Sequence, residues 1–177
     1  VCVVHSETST GVISDIAAVR RAIDAAGHPA LLLVDTISGL ACADYRHDEW
    51  GVDVAMAGSQ KGLMMPPGIS FNALSPKAIA ASKAATLPKA YRAWEEIVEM
   101  NKGGYWPSTP NTNLLYALSE ALDMILGQGL AAVFARHQRW GEAVRGAVRA
   151  WGLPIQCADA SAHSPLLTGV VTPVGVD

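Results

Sequence analysis

Three stretches of the chain join reactive side chains to small residues that let a backbone close around a ligand. Residues 5–11 (HSETSTG) hold a histidine, a carboxylate and several hydroxyls. Asp35 ends the apolar run 30–35 (ALLLVD), and Lys61 lies in the segment 58–62 (GSQKG). Each follows an apolar run that reads as a strand, and open α/β sheets place their ligand sites at strand carboxyl ends.

An amine, an acid and hydroxyls at neighbouring strand ends match what pyridoxal phosphate needs. That cofactor takes a lysine amine as a Schiff base and an acid beside its ring nitrogen. The acid keeps the ring protonated, and the lysine, once displaced, can move a proton at the substrate carbon. Lysine suits the task because its stem is flexible and its pKa shifts readily, which arginine cannot match. A hydroxyl such as Thr8 can bond the ring oxygen, and backbone amides with hydroxyls can hold a phosphate. Each piece also has a plain structural reading. An Asp at a strand end often caps a turn, a lone Lys is often a solvated surface residue, and His5 can be a buried histidine bonded to backbone.

The elements that must position these residues follow from pattern. Residues 1–4 (VCVV), 30–35, 52–57 and 69–74 read as strands. The helix between the first two is capped by Ser14, buries Ile16, Val19 and Ile23, and stops at Gly27. Strands separated by helices predict βαβ units with right-handed crossovers. A helix is expected from Pro76 through 77–85, while 87–104 carries no clear pattern. Leu115, Leu118, Leu122 and Ile125 mark one helix face, interrupted by Gly127 and Gly129. A long helix follows with Val133, His137, Trp140, Val144, Val148 and Trp151 on one side, so Trp140 and Trp151 are expected in the core. Gly152 and Pro154 end it, and from 153 the pattern becomes strand-like, including 166–172 (LLTGVVT).

Composition narrows the classes. The chain has 177 residues, 50% apolar and 16% charged, with a net charge of −3. That is globular and not basic, which argues against nucleic acid as a partner. Cys2, Cys42 and Cys157 form no CxxC pair, so three reduced thiols are expected and no metal site. No apolar run approaches the ~20 residues of a membrane helix, and no basic lead precedes an apolar stretch, so no membrane partner and a cytoplasmic location are expected. The chain opens on an apolar strand without Met and closes on another, so a piece of a longer chain is expected.

The segments HSETSTGV, LLVDTISGL, DEWGVDVAMAGSQKGLMMPPG, YWPSTPNTNLLYALSEALDMI and GLAAVFARH resemble class V aminotransferases, most closely the serine–glyoxylate and alanine–glyoxylate group. The resemblance covers nearly the whole chain. It implies an α/β fold, PLP-dependent transferase fold type I, with a mostly parallel sheet and flanking helices. Residues 1–151 would be the C-terminal part of the large cofactor domain, and 152–177 the start of a small domain. It also implies transamination between serine, alanine or aspartate and an oxo acid, glyoxylate in that group, by a homodimer with shared sites. HSETSTGV looks like the family's cofactor-stacking and ring-oxygen loop. Lys61 would form the Schiff base, Asp35 would pair with the pyridine nitrogen, and Thr8 would bond the ring oxygen. Gln60 would touch the phosphate, and Tyr105 and Thr109 would reach the phosphate of the other subunit, with Ser108 an alternative to Thr109. The family's glycine-rich phosphate loop would precede Val1, and its substrate-carboxylate arginine would follow Asp177. Two rivals are a lyase or cysteine desulfurase of the same fold, disfavoured by Gln60 where those enzymes carry histidine, and a non-catalytic dimerisation fragment.

Overall fold

The computed structural model describes residues 1–176. A four-stranded sheet of order β1-β4-β5-β6 is built from β1 (Cys2–Val4), β4 (Leu33–Asp35), β5 (Val54–Gly58) and β6 (Ser70–Leu74). The short strands β2 (Ser6–Glu7) and β3 (Val12–Ile13) form a separate antiparallel hairpin just beyond β1. The pairings β1–β4 and β4–β5 are parallel, while β5–β6 is antiparallel. Of the predicted βαβ units, only β1 to β4 is joined through a helix, α1 (Ile16–Ala25). β4 reaches β5 by turns, and β6 returns beside β5 through a loop without a helix, a connection suited to an antiparallel neighbour.

Helix α1 buries Ile16 and Ile23 against Leu32, Val34 and Val52, with Val3, Val19, Tyr45 and Trp50 at the margin. Each such aliphatic side chain contributes about 1.5–3 kcal/mol when fully buried. Its cap is Asp15, whose carboxylate accepts from the Ala18 N–H at 2.8 Å, and not Ser14. Ser14 instead donates its backbone N–H to the His5 carbonyl. Gly27, at φ 58°, ends the helix as expected.

Four further α-helices follow among the described residues: α2 (Pro76–Ala84), α3 (Trp94–Lys102), α4 (Thr112–Gln128) and α5 (Leu130–Ala150). Ser75 caps α2, with Pro76 in its first turn. α3 occupies the stretch where the sequence shows no clear pattern. Gly127 lies inside α4, and the break comes at Gly129 (φ 85°), where α4 and α5 meet at 86°. The buried stripe of α4 is Leu114, Ala121 and Ile125, while Leu122 of the expected face is 39% exposed. This stripe packs with Val133 on Leu63 and Met65, in the loop between β5 and β6.

The expected core role of two tryptophans is not observed. Trp140 is 57% and Trp151 72% exposed. The face of α5 that turns inward carries Val133, Gly141, Arg145 and Val148. Val133 and Val148 of the expected face are buried, but a glycine and an arginine share the buried stripe with them, and a hydrophobicity count passes over both and takes Trp140, Val144 and Trp151 instead. Trp140 lies at the surface under the Arg136 guanidinium, 5.2 Å from the ring centre. The expected strand at 166–172 is likewise absent among the described residues. That stretch makes only the isolated bridge Ile155–Val170, and the chain before it pairs His163 with Val12. The three cysteines are free thiols. Among the described residues no group of side chains is arranged for a metal ion, and no single helix is long and apolar enough to cross a membrane.

Candidate active site

The sheet register brings the three reactive stretches level. Val4 pairs with Asp35, and Asp35 with Met56, so β1 and β4 end level and β5 runs two residues further, to Gly58. Hydrogen bonds continue the alignment past the strands: His5 N–H to Asp35 O at 2.9 Å, and Thr36 N–H to Met56 O at 2.9 Å. The Thr36 hydroxyl, almost fully buried, donates to the same Met56 carbonyl at 2.8 Å.

Asp35 Oδ1 accepts from the Ile37 N–H at 2.8 Å, which orients the half-buried carboxyl and leaves Oδ2 without a hydrogen-bond partner among the described residues. The turn-capping role is therefore real, and it coexists with an oxygen open to a ligand. Thr8 is exposed at the tip of the β2–β3 hairpin, and its Oγ1 lies 2.9 Å from Ser38 Oγ. That contact ties the hairpin tip to the turn just after Asp35. Glu7 stiffens the tip by accepting from Ser9 N–H and Ser9 Oγ, both at 2.8 Å, and these bonds hold its carboxyl below the usual carboxylate range.

His5 behaves otherwise. It is 2% exposed, packed against Tyr45 and Trp50 with ring centres 5.6 and 6.1 Å away. Its face is turned into the protein, so the part of this loop open to a ligand is Thr8 and Ser9. Its Nδ1 is buried without a partner, beside Gly39. Burial pushes its pKa down, opposed in part by the charge of Asp44.

Lys61 is exposed on the loop between β5 and β6, and its ammonium makes no hydrogen bond or ion pair among the described residues. Ser59, fully buried, staples that loop. Its hydroxyl donates to Pro66 O at 2.8 Å, its N–H donates to Ile69 O at 3.0 Å, and its carbonyl accepts from Met65 N–H at 3.2 Å. Gly62 lets the loop lie on the turn that follows Asp35, since a Cβ there would stand 2.0 Å from Leu40 O. Gln60 is exposed, with its amide oxygen folded back towards Gly58. Sequence reasoning missed Ser59, Ser38 and Thr36. Their signal was a hydroxyl one to three residues beyond a strand end, a pattern too common to single out.

Tyr105 and Thr109 belong to the exposed connection between α3 and α4. Tyr105 is anchored by its backbone to Met100 O and Asn101 Nδ2, and its ring is 70% exposed. No hydrogen bond joins either residue to Thr8, Asp35 or Lys61 among the described residues. Cavities of about 570 and 550 Å³ lie elsewhere, against Lys89 and Glu96 and between Arg20, Asp53 and Lys77. Neither is lined by the strand-end cluster.

Lys61, Asp35 and Thr8 thus lie on the segments at or just beyond the ends of β5, β4 and β2. In the match to known proteins, the family Aminotransferase class-V covers residues 1–166, and the chain belongs to it. This is a PLP-dependent family of fold type I. Relatives include a serine–glyoxylate aminotransferase of Arabidopsis thaliana, 47% identical over all of this chain and 44% of the relative. An L-aspartate–glyoxylate aminotransferase of Paracoccus denitrificans is 46% identical over 98% of this chain and 44% of its own. Among solved structures, pyridoxamine–pyruvate aminotransferase from Mesorhizobium loti superposes with a TM-score of 0.89 at 34% identity, covering 99% of this chain and 45% of that one. The chain thus spans less than half the length of the relatives it matches.

Proposed function

We propose that the full-length protein is a transaminase that moves an amino group from serine, alanine or aspartate to an oxo acid, with glyoxylate as acceptor. The observation that carries the reading is the unpaired Lys61 amine on the loop after β5, one strand away from the half-free carboxylate of Asp35. The names of the relatives support the substrate pair.

The residues present fit pyridoxal phosphate. The donor set offers one amine, one oriented carboxylate with a vacant oxygen and one exposed hydroxyl, all at adjacent strand ends. When bound, the cofactor supplies a carbonyl that takes the amino group and a ring that accepts electrons from the substrate carbon. Lys61 would hold it and then carry the proton at that carbon. The Asp35 carboxylate would keep the ring nitrogen protonated, with Ile37 N–H fixing its orientation. Thr8 would bond the ring oxygen, and Gln60 would lie near the phosphate. We further propose a homodimer in which Tyr105 and Thr109 serve the partner's phosphate, consistent with their exposure.

The test is chemical trapping. The full-length protein, given pyridoxal phosphate and reduced with borohydride, should carry a pyridoxyl mass on the peptide containing Lys61. Lys61→Arg should lose that mass and lower turnover by roughly 10²–10⁴-fold, since the arginine keeps the charge but cannot shuttle the proton. A pyridoxyl mass on another lysine, or none, would sink the reading.

A further inference from the structure

The hairpin that presents Thr8 is gripped from two sides, and one of them lies outside the strand-end cluster. Inward, Thr8 meets Ser38. Outward, the chain 163–169 closes over the hairpin. Ser164 is fully buried, with Oγ 2.8 Å from Oγ of the buried Ser6, and its N–H donates to Gly11 O at 2.9 Å. Two glycines make the approach possible. A Cβ at Gly11 would stand 3.1 Å from Gly169 N, and one at Gly141 would stand 2.6 Å from Pro165 O.

Behind this contact lies Arg145 of α5, 1% exposed. Its Nη1 donates to Ser164 O and its Nη2 to Glu142 Oε1, both at 2.8 Å. Removing a guanidinium from water is costly, and an apolar side chain of similar volume would hold a helix in place at least as well. An apolar side chain cannot grip a carbonyl at a fixed angle, as the planar guanidinium fork does. The arginine is therefore explained better by orientation than by packing.

We propose that Arg145, Ser164 and Ser6 form a positioning relay that sets where the Thr8 hydroxyl stands beside the cofactor ring. Arg145 fixes the Ser164 backbone, the Ser164 hydroxyl fixes Ser6, and Ser6 is the root of β2, from which the Thr8 turn hangs. The proposal rests on the cofactor reading above. It adds that α5 and the chain 163–169 act on the cofactor without touching it.

The test is a pH titration of the cofactor's long-wavelength absorbance in the full-length holoenzyme. A hydroxyl donating to the ring oxygen favours the deprotonated form, in which that oxygen is more anionic, so losing the donor raises the midpoint. Thr8→Val should raise it. Ser164→Ala, Ser6→Ala and Arg145→Met should each raise it by about half a pH unit, less than Thr8→Val does. Ser164→Ala added to Thr8→Val should produce no further shift, because the relay acts through Thr8. Ile23→Val, a core change in α1 away from both the hairpin and the Lys61 loop, should lower Tm and leave the midpoint in place. If Thr8→Val moves the midpoint while Ser164→Ala and Ser6→Ala titrate like the unaltered protein, the relay is overturned and the cofactor reading stands. If the unaltered protein shows no such absorbance, or Thr8→Val leaves the midpoint unmoved, the cofactor contact and the relay fall together.

Discussion

A methyl group added at Gly62 would stand 2.0 Å from the Leu40 carbonyl oxygen and 2.7 Å from Cys42 Sγ. The first of these is backbone, so the loop itself must move, and Lys61 is the residue next to it. Overpacking of this kind costs typically 1–3 kcal/mol. Gly62→Ala should lower the unfolding free energy by that amount in urea denaturation and reduce the yield of pyridoxyl-Lys61 after borohydride reduction. A stability loss with full adduct yield would mean that the lysine tolerates displacement. The same close packing explains the neighbouring cysteine. Burial raises the Cys42 thiol pKa, only partly opposed by Arg136, so it packs as a small apolar group under the loop. Lys61 and Asp35 could be singled out from residue type and position after an apolar run. Ser59, which closes the loop, and Ser38, which meets Thr8, could not. A serine near a turn acquires a role only when its partner arrives from elsewhere in the chain.

At the level of elements, Asp53 joins three of them. Its carboxylate accepts from Leu32 N–H before β4 and from the Ser75 hydroxyl at the cap of α2, both at 2.9 Å, while it precedes β5 in the chain. Arg20 and Lys77 stand 3.8 and 3.9 Å away. Asp53→Ala would leave the buried Leu32 amide unpaired and take its acceptor from the partly buried Ser75 hydroxyl, and should cost about 3 kcal/mol. Chemical denaturation checks this, and a loss under about 1 kcal/mol would show that water replaces the carboxylate. Strong signals did locate most elements. The Ile16-Val19-Ile23 spacing, Pro76 and Gly129 each mark what is observed. The antiparallel return of β6 was not legible, because a strand's direction depends on the path of the loop between strands. Nor was the β2–β3 hairpin, whose strands are two residues each and too short for any periodicity.

Across the whole molecule, burial makes stability pH-dependent. His5 and His137 both have pKa values pushed below the ordinary 6.5, chiefly by burial. The unfolded chain binds protons on these groups at a pH where the folded chain does not, so stability rises with pH in that window. Stability should therefore fall as pH drops from about 6.5 toward the lowered values, and His5→Phe should flatten part of that slope in denaturation curves measured from pH 7.5 to 5. An unchanged slope would show that the His5 ring takes up a proton in the folded state. The family was legible, and the candidate lysine and acid could be proposed, because these depend on residue identity and local order: an apolar run ending in Asp35, and a conspicuous segment around Lys61. The level alignment of those residues, the inward turn of His5 and the burial of Arg145 came only with the tertiary structure. Each depends on which distant segment packs alongside, and the buried face of α5 is the clearest case. Its inner positions are a glycine and an arginine because the chain at 164–165 needs room and a donor there, and a helix's own sequence cannot report what its neighbour requires.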